Sequence, residues 1–301
     1  MRQYILIGLC TLCTYLIAGE GFAQRHARTI ALGEVGVGLI GSGQAILYNP
    51  AGLAFMERRE AYFTYIDWPS DTEEHNVGIS ANVLGKGAFG LYAERNSNSE
   101  DYAIFGGYGQ KIADRIAVGT TFKLIHNNYQ IYSPELRQFI SQIQNKVAFD
   151  LGAYVIGARN MAMSVGLKNV SSDSLLQKDA RLGLLIDMFA LINAGVVPHH
   201  LDVVLDMEIP INFDRDKILS AAIEYGYTHY GANGSVGFSL RLGGFWKDIG
   251  DRDYISTGSA KWGCGLHSMI KKGLGVKIDY TPYSSQYGRE TGHIFSLSLL
   301  F

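Results

Sequence analysis

From residue 61 to the end of the chain, apolar and polar residues alternate with period two, in runs separated by turn-like residues. In 217–228, Leu219, Ala221, Ile223, Tyr225 and Tyr227 share one face and Ala222, Glu224 and Gly226 the other. In 233–246, Val236, Phe238, Leu240 and Leu242 oppose Gly237, Ser239, Arg241 and Gly243. Leu274, Val276, Ile278 and Tyr280 oppose Lys277 and Asp279 in 272–282, and Val203, Leu205, Met207 and Ile209 oppose Asp202, Asp206 and Glu208 in 201–212. The closing run, HIFSLSLLF (293–301), sets Phe295, Leu297, Leu299 and Phe301 against Ile294, Ser296, Ser298 and Leu300. This pattern predicts strands.

Fourteen runs can be marked: 61–68, 75–84, 86–95, 101–111, 115–127, 146–156, 160–169, 179–196, 201–212, 217–228, 233–246, 256–267, 272–282 and 292–301. The eighth is long enough to hide a break. Short links near 85, 112–114, 157–159, 197–200, 229–232 and 268–271 alternate with longer ones near 69–74, 96–100, 128–145, 170–178, 247–255 and 283–291, with 213–216 the exception. Short turns on one side and longer loops on the other, with an even strand count, is the pattern of an outer-membrane barrel. Strands of this length are long for a sandwich, where about 5–6 residues is usual. Lipid contact then assigns the apolar face outward, since a charge at mid-depth on that face costs about 2–4 kcal/mol. The opposite face is the lumen, carrying Lys123, Asp150, Asp206, Glu208, Glu224, Arg241, Lys261, Lys277 and Asp279. Their mixed signs fit a salt-bridged interior better than an ion-selective pore. Trp68, Tyr108, Tyr227, Trp246, Tyr280 and Tyr283 lie near strand ends, as interfacial girdles do. The expected fold is all-β: a 14-stranded antiparallel transmembrane barrel with an N-terminal plug, its last strand pairing with the first.

Two segments depart from the alternation. SPELRQFISQIQNK (133–146) has helical spacing, with Leu136, Phe139, Ile140 and Ile143 on one face after Ser133-Pro134. It predicts a loop helix that either folds over the extracellular mouth or caps the rim. Residues 30–59 are glycine-rich and include NPAGLA, where Asn49 can cap a helix with Pro50 at its first position. Uncovered and apolar, this piece is expected inside the barrel as a plug or hatch, with Asn49, Pro50, Gly52 and Leu53 at its centre.

Composition adds the route. Arg2 followed by the apolar stretch Ile5–Ile17, with Gly21-Phe22-Ala23 before Gln24, reads as an export signal. The expected domains are 1–23 signal, 24–60 plug and 61–301 barrel. Cys264 is then alone in the exported chain, so no internal disulfide forms. A net charge of −2 provides no global field to recruit nucleic acid. The 36 glycines and 18 tyrosines against only 6 prolines suit a chain made of strands.

AILYNPAGLA (45–54) resembles the amino-terminal motif of the FadL-like outer-membrane proteins, and the likeness continues along the chain. VAFDLGAYV (147–155), MSVGLKNV (163–170), AAIEYGY (221–227), VGFSLRLGGF (236–245), LGVKIDYTPY (274–283) and HIFSLSLLF are similar, in order, to chains of the PorV/PorQ group within that superfamily. The resemblance implies a fourteen-stranded outer-membrane barrel with a lumenal N-terminal segment. It implies either passage of small hydrophobic, fatty-acid-type molecules or a non-transporting component of the type IX secretion system that docks protein partners. Partners on this reading are outer-membrane lipid, a hydrophobic ligand or secretion proteins. No cofactor is implied.

Other motifs carry less. Gly36-Val37-Gly38-Leu39-Ile40-Gly41 and Gly85-Lys86-Gly87-Ala88-Phe89-Gly90 match G-x-G-x-x-G but lack the strand, helix and distal acid of a dinucleotide site. His199-His200 reads as a polar turn, without the spacing to share a metal ion. No Ser-His-Asp set stands out, so an enzyme is not expected, a lipid-modifying barrel being the weakest alternative.

Overall fold

The computed structural model describes residues 26–36, 40–68, 72–83, 87–97, 101–133, 138–157, 161–171, 178–188, 198–211, 217–248, 260–270, 273–284 and 291–301; the expected signal at 1–23 lies outside them. Among the described residues, fourteen antiparallel strands close into a barrel. They are β1 (Glu60–Trp68), β2 (Thr72–Val83), β3 (Gly87–Asn96), β4 (Tyr102–Ala113), β5 (Ile116–Ser133), β6 (Gln138–Ile156) and β7 (Met161–Val170), then β8 (Asp179–Asp187), β9 (His199–Pro210), β10 (Lys217–Gly231), β11 (Gly234–Asp248), β12 (Ala260–Ile270), β13 (Gly275–Ser284) and β14 (Thr291–Leu300). Each pairs with its sequence neighbours, and β1 closes on β14 from Glu60↔Leu300 to Asp67↔His293. The zipper runs into the last residue: Phe301 N–H donates to Arg59 O at 3.0 Å, and Arg59 N–H to Phe301 O at 3.2 Å. No free sheet edge is left along that seam.

The faces divide as lipid contact requires. Leu219, Ile223, Val236, Leu240, Leu242, Phe295, Leu297 and Leu299 are exposed outward, while Glu224, Ser239, Arg241, Ser296 and Ser298 are buried inward. Large apolar side chains exposed around the whole wall, over buried charges, invert the arrangement of a water-soluble protein and match a barrel in hydrocarbon.

Four expectations change. The run 133–146 is not a helix: β5 and β6 form one hairpin whose register is unbroken from Ile116↔Val155 to Ser133↔Gln138. A short helix with nothing to pack against is marginal in water, whereas the ribbon extends a ladder already made below it. Leu136 lies outside the described residues. The expected long link at 128–145 shrinks to 134–137, because the strands continue upward past the last rungs they share with β4 and β7. The eighth run is strand over Asp179–Asp187, and its remainder at 189–196 lies outside the described residues. His199 and His200 open β9 and are not in a turn; adjacent strand residues point to opposite faces, which keeps them from sharing an ion. Finally, Trp68 and Tyr283 face inward, edge to face at 5.0 Å, against Ala27, Ile30, Ile66 and Ile294. Trp246 faces outward.

Candidate functional site

The described residues of 26–36 and 40–56 lie against the inner faces of the strands. Helix α1 (Ala27–Ala31) is followed by α2 (Ala45–Tyr48) and the 3₁₀ turn η1 (Pro50–Phe55). Such short helices have little stability of their own and are held by what surrounds them.

The α1 half is held by polar contacts. Ala27 N–H donates to Ser296 Oγ at 3.1 Å, and Thr281 Oγ1 donates to Ala27 O at 2.7 Å. Arg28 reaches Glu224 with Nη2 at 2.7 Å and Nε at 3.1 Å. Glu224 also accepts from Arg241 Nε at 2.9 Å, and Arg241 Nη1 donates to Asp279 at 2.6 Å. These side chains form a continuous network across β10, β11 and β13. Further on, Gly36 N–H donates to Asp206 Oδ2 at 3.2 Å. Between these contacts the chain turns at Gly33 and Glu34, both with positive φ (68° and 67°). A Cβ on Gly33 would lie 2.5 Å from Gly244 N, and one on Gly243 would lie 2.2 Å from Leu32 C. The wall here is a bare backbone. On its outer side Ile223, Leu242 and Trp246 border an apolar depression of about 410 Å³.

The η1 half is held by shape and by uncharged donors, among them Thr121 Oγ1 to Ile46 O at 3.0 Å and Asn82 Nδ2 to Met56 O at 2.9 Å. Gly109, Gly119, Gly152 and Gly166 are register partners on β4, β5, β6 and β7, and they make a level strip without side chains. The NPAGLA turn rests on it: Cβ atoms added to Gly109, Gly119 and Gly152 would come within 2.4 Å of Pro50 O, 2.4 Å of Pro50 C and 1.8 Å of Asn49 Oδ1. Asn49, fully buried, caps η1 by accepting from Ala51 N–H at 3.1 Å and donates through Nδ2 to Ala153 O (3.3 Å) and Val165 O (3.2 Å). Pro50 starts the turn, Leu53 is buried, and Gly52 N–H bonds to Asn49 O. At the level of α2 the facing wall is apolar: Tyr62, Tyr92, Phe105, Ile125, Ala103 and Ala148 enclose Ile46, Leu47 and Tyr48.

The nine lumen-side charges do not form one constellation. Glu224, Arg241 and Asp279 belong to the network above, and Asp206 holds Gly36. Lys123 pairs with Asp150 at 2.7 Å and donates to Asn169 Oδ1 at 3.0 Å. Asp150 in turn accepts Asn169 N–H at 2.8 Å, at a bulge where Asn169 has φ 54°. Glu208 pairs with Arg181. Lys261 sits 4.2 Å from the Tyr283 ring centroid. Lys277 stands apart, facing a cavity described below.

His26 was not anticipated as a site residue, since it precedes the segment's recognisable motif. It caps α1, with Nδ1 accepting from Arg28 N–H at 3.2 Å and Nε2 set 2.6 Å from the Gln44 amide. It thereby joins the two halves of the segment. Burial, opposed by Asp279 and reinforced by Arg241, Arg28 and Lys277, lowers its pKa from 6.5 to about 3. The docked segment therefore binds fewer protons than a released one between those values. Docking is at full strength above pH 6.5 and weakens as pH falls toward 3, by at most about 1.4 kcal/mol per pH unit. Protease cleavage of the segment is expected to speed up between pH 7 and pH 4.5 in the wild type, and His26→Gln is expected to flatten that dependence.

A closed fourteen-strand barrel with an apolar exterior and a lumen occupied by its own N-terminal segment defines a class of transmembrane barrel folds. No protein-family model matches the chain, and no curated protein sequence does. Solved structures do. It is similar to a Pseudomonas aeruginosa FadL homologue (TM-score 0.55, 11% identity, 92% of this chain and 98% of that one). It is also similar to the monoaromatic hydrocarbon channel CymD (0.58, 10%, 93% and 98%) and the Ralstonia pickettii toluene transporter TbuX (0.56, 11%, 93% and 97%). The chain has the FadL-type outer-membrane barrel fold. Two of these neighbours are named for the passage of hydrocarbons, CymD as a channel and TbuX as a transporter.

Proposed function

We propose that this barrel passes small hydrophobic molecules across the outer membrane, and that residues 24–60 act as its hatch. The observation that carries this reading is the unequal attachment of the segment's two halves. The α1 half is tied to the wall by a buried ion-pair network. The η1 half, with Asn49, Pro50, Gly52 and Leu53, carries no charged side chain from 40 to 56 and rests on a glycine strip through packing and neutral donors: Asn49 to Ala153 O and Val165 O, Thr121 Oγ1 to Ile46 O at 3.0 Å and Asn82 Nδ2 to Met56 O at 2.9 Å. Withdrawing η1 and α2 would uncover Tyr62, Tyr92, Phe105 and Ile125, a surface suited to apolar molecules and poor for ions. The hydrocarbon channels that share the fold support the ligand class; fatty-acid-type and aromatic ligands both fit it.

The test is uptake of a labelled fatty acid and of toluene by a strain lacking this protein, with and without the gene restored. Slower uptake of either in the deletion strain, recovered on complementation, is expected. Unchanged uptake of both overturns the proposal; if export of secreted proteins fails instead, the barrel is a docking component of a type IX secretion system.

A further inference from the structure

Below α1, at the end of the barrel where β1 starts and β14 finishes, the lumen keeps a cavity of about 260 Å³. That end is periplasmic in an outer-membrane barrel whose short turns lie there. The acids lining the cavity are already engaged: Glu224 by Arg28 and Arg241, Asp279 by Arg241, and Glu60 by Gly43 N–H at 2.7 Å and the Ser42 hydroxyl at 3.1 Å.

The cations and donors nearest the mouth are not engaged in the same way. Thr228, Gly237, His267, Lys277 and Ser298 are successive register partners, one rung crossing β10 to β14. Lys277 makes no ion pair or hydrogen bond among the described residues. His267 lies over Gly237, where a Cβ would come within 2.4 Å of its ring, and its Nε2 is 3.0 Å from Thr228 Oγ1. His200 lies likewise over Gly226, a Cβ there falling 1.8 Å from its ring. The glycines give both imidazoles flat seats and leave the space in front of the rung open. Asp202 shares His200's face two residues along β9, and Asp279 lies beside Lys277 on β13 but is held by Arg241.

We propose that this rung is a binding site for an oxyanion, a carboxylate or a phosphate group, entering from the periplasmic end. Lys277 supplies the charge. Ser298 and the bonded Thr228–His267 pair supply donors on either side of it, the pair offering either the Thr228 O–H or the His267 Nδ1–H, and His200 borders the opening. The volume admits a head group or a small free anion and not a long chain. The same chemistry is offered by the head of an amphipathic molecule and by a small periplasmic anion.

Calorimetric titration of the detergent-solubilised full chain separates the two, with hexanoate, hexanol and inorganic phosphate as probes. Binding of hexanoate, phosphate or both is expected, weakened at least about tenfold by Lys277→Gln and retained in Lys277→Arg, as loss of one charge-assisted contact implies. Hexanoate without phosphate identifies an amphipathic head; binding of both identifies any small oxyanion. The proposal is overturned if neither anion binds, if hexanol binds as well as hexanoate, or if Lys277→Gln and Thr228→Val both leave affinity unchanged. Thr228→Val adds no charge change, so it remains informative should Lys277→Gln fail to fold. Flux is not measured, so the result stands apart from the transport test.

Discussion

Gly152→Val is expected to expel the NPAGLA turn from its seat while leaving the barrel closed. The first new carbon would fall 1.8 Å from Asn49 Oδ1 and 2.8 Å from Asn49 Cγ, far inside any van der Waals contact. The wall cannot retreat, because Gly152 is paired on both sides, with Gly119 and Gly166. The segment must move instead, and Asn49 then loses its bonds to Ala153 O and Val165 O. Overpacking alone costs about 1–3 kcal/mol, and each lost hydrogen bond adds about 1 kcal/mol. The strand ladders are untouched, so the variant is expected to keep the heat-shifted gel mobility of a folded barrel. Proteolysis within 40–56 is expected to rise at least about tenfold, the ratio corresponding to about 1.4 kcal/mol, and hydrophobic flux with it. Gly106→Ala is the control, since its Cβ would meet nothing nearer than Leu91 Cδ2 at 3.7 Å. Equal protection of the segment in both variants would contradict the seat.

Glu224→Ala is expected to produce a large loss of stability and to release the segment. Glu224 is buried and holds two guanidinium groups. Without it Arg241 keeps Asp279, but Arg28 loses its only ion-pair partner among the described residues. Removing one side of a buried ion pair costs about 3–5 kcal/mol; the Arg28 side chain is 26% exposed, which places the expected loss near the lower end. Thermal unfolding in detergent is expected at a clearly lower temperature, with the segment released first. The double variant Arg28→Met/Glu224→Ala is expected to recover part of the loss, because it removes the stranded charge. An unchanged unfolding temperature in Glu224→Ala would show that the network does not anchor the segment.

The barrel was legible in the sequence because its physics is local. Each strand repeats every two residues, and hydrocarbon outside forces the parity, so Glu224, Arg241 and Asp279 could be assigned to the lumen from their neighbours alone. NPAGLA was legible for the same reason: Asn49 and Pro50 are adjacent and state their own turn. What stayed hidden depends on register. Gly109, Gly119, Gly152 and Gly166 are scattered over four runs and become one strip only when those strands are aligned. The pairing of Lys123 with Asp150, or Arg28 with Glu224, is hidden likewise, although each charge was visible. The misread helix at 133–146 has the opposite cause. Phe139, Ile140 and Ile143 satisfy a helical period, but the ladder of β5 was present to extend. Trp68 and Tyr283 were misplaced because a ring near a strand end serves equally at the interface or against α1.

If the segment is a hatch, it must move for a hydrophobic molecule to pass. A Cβ on Gly90 would stand 3.7 Å from Ile46 Cβ, within the range a disulfide requires. Ile46→Cys with Gly90→Cys, in a Cys264→Ser background, therefore locks α2 to the wall under oxidising conditions and frees it on reduction. In proteoliposomes, flux of a labelled fatty acid or toluene is expected to fall to the protein-free rate when the bond is closed and to return on adding reductant. Equal flux in the locked and reduced states would contradict the hatch.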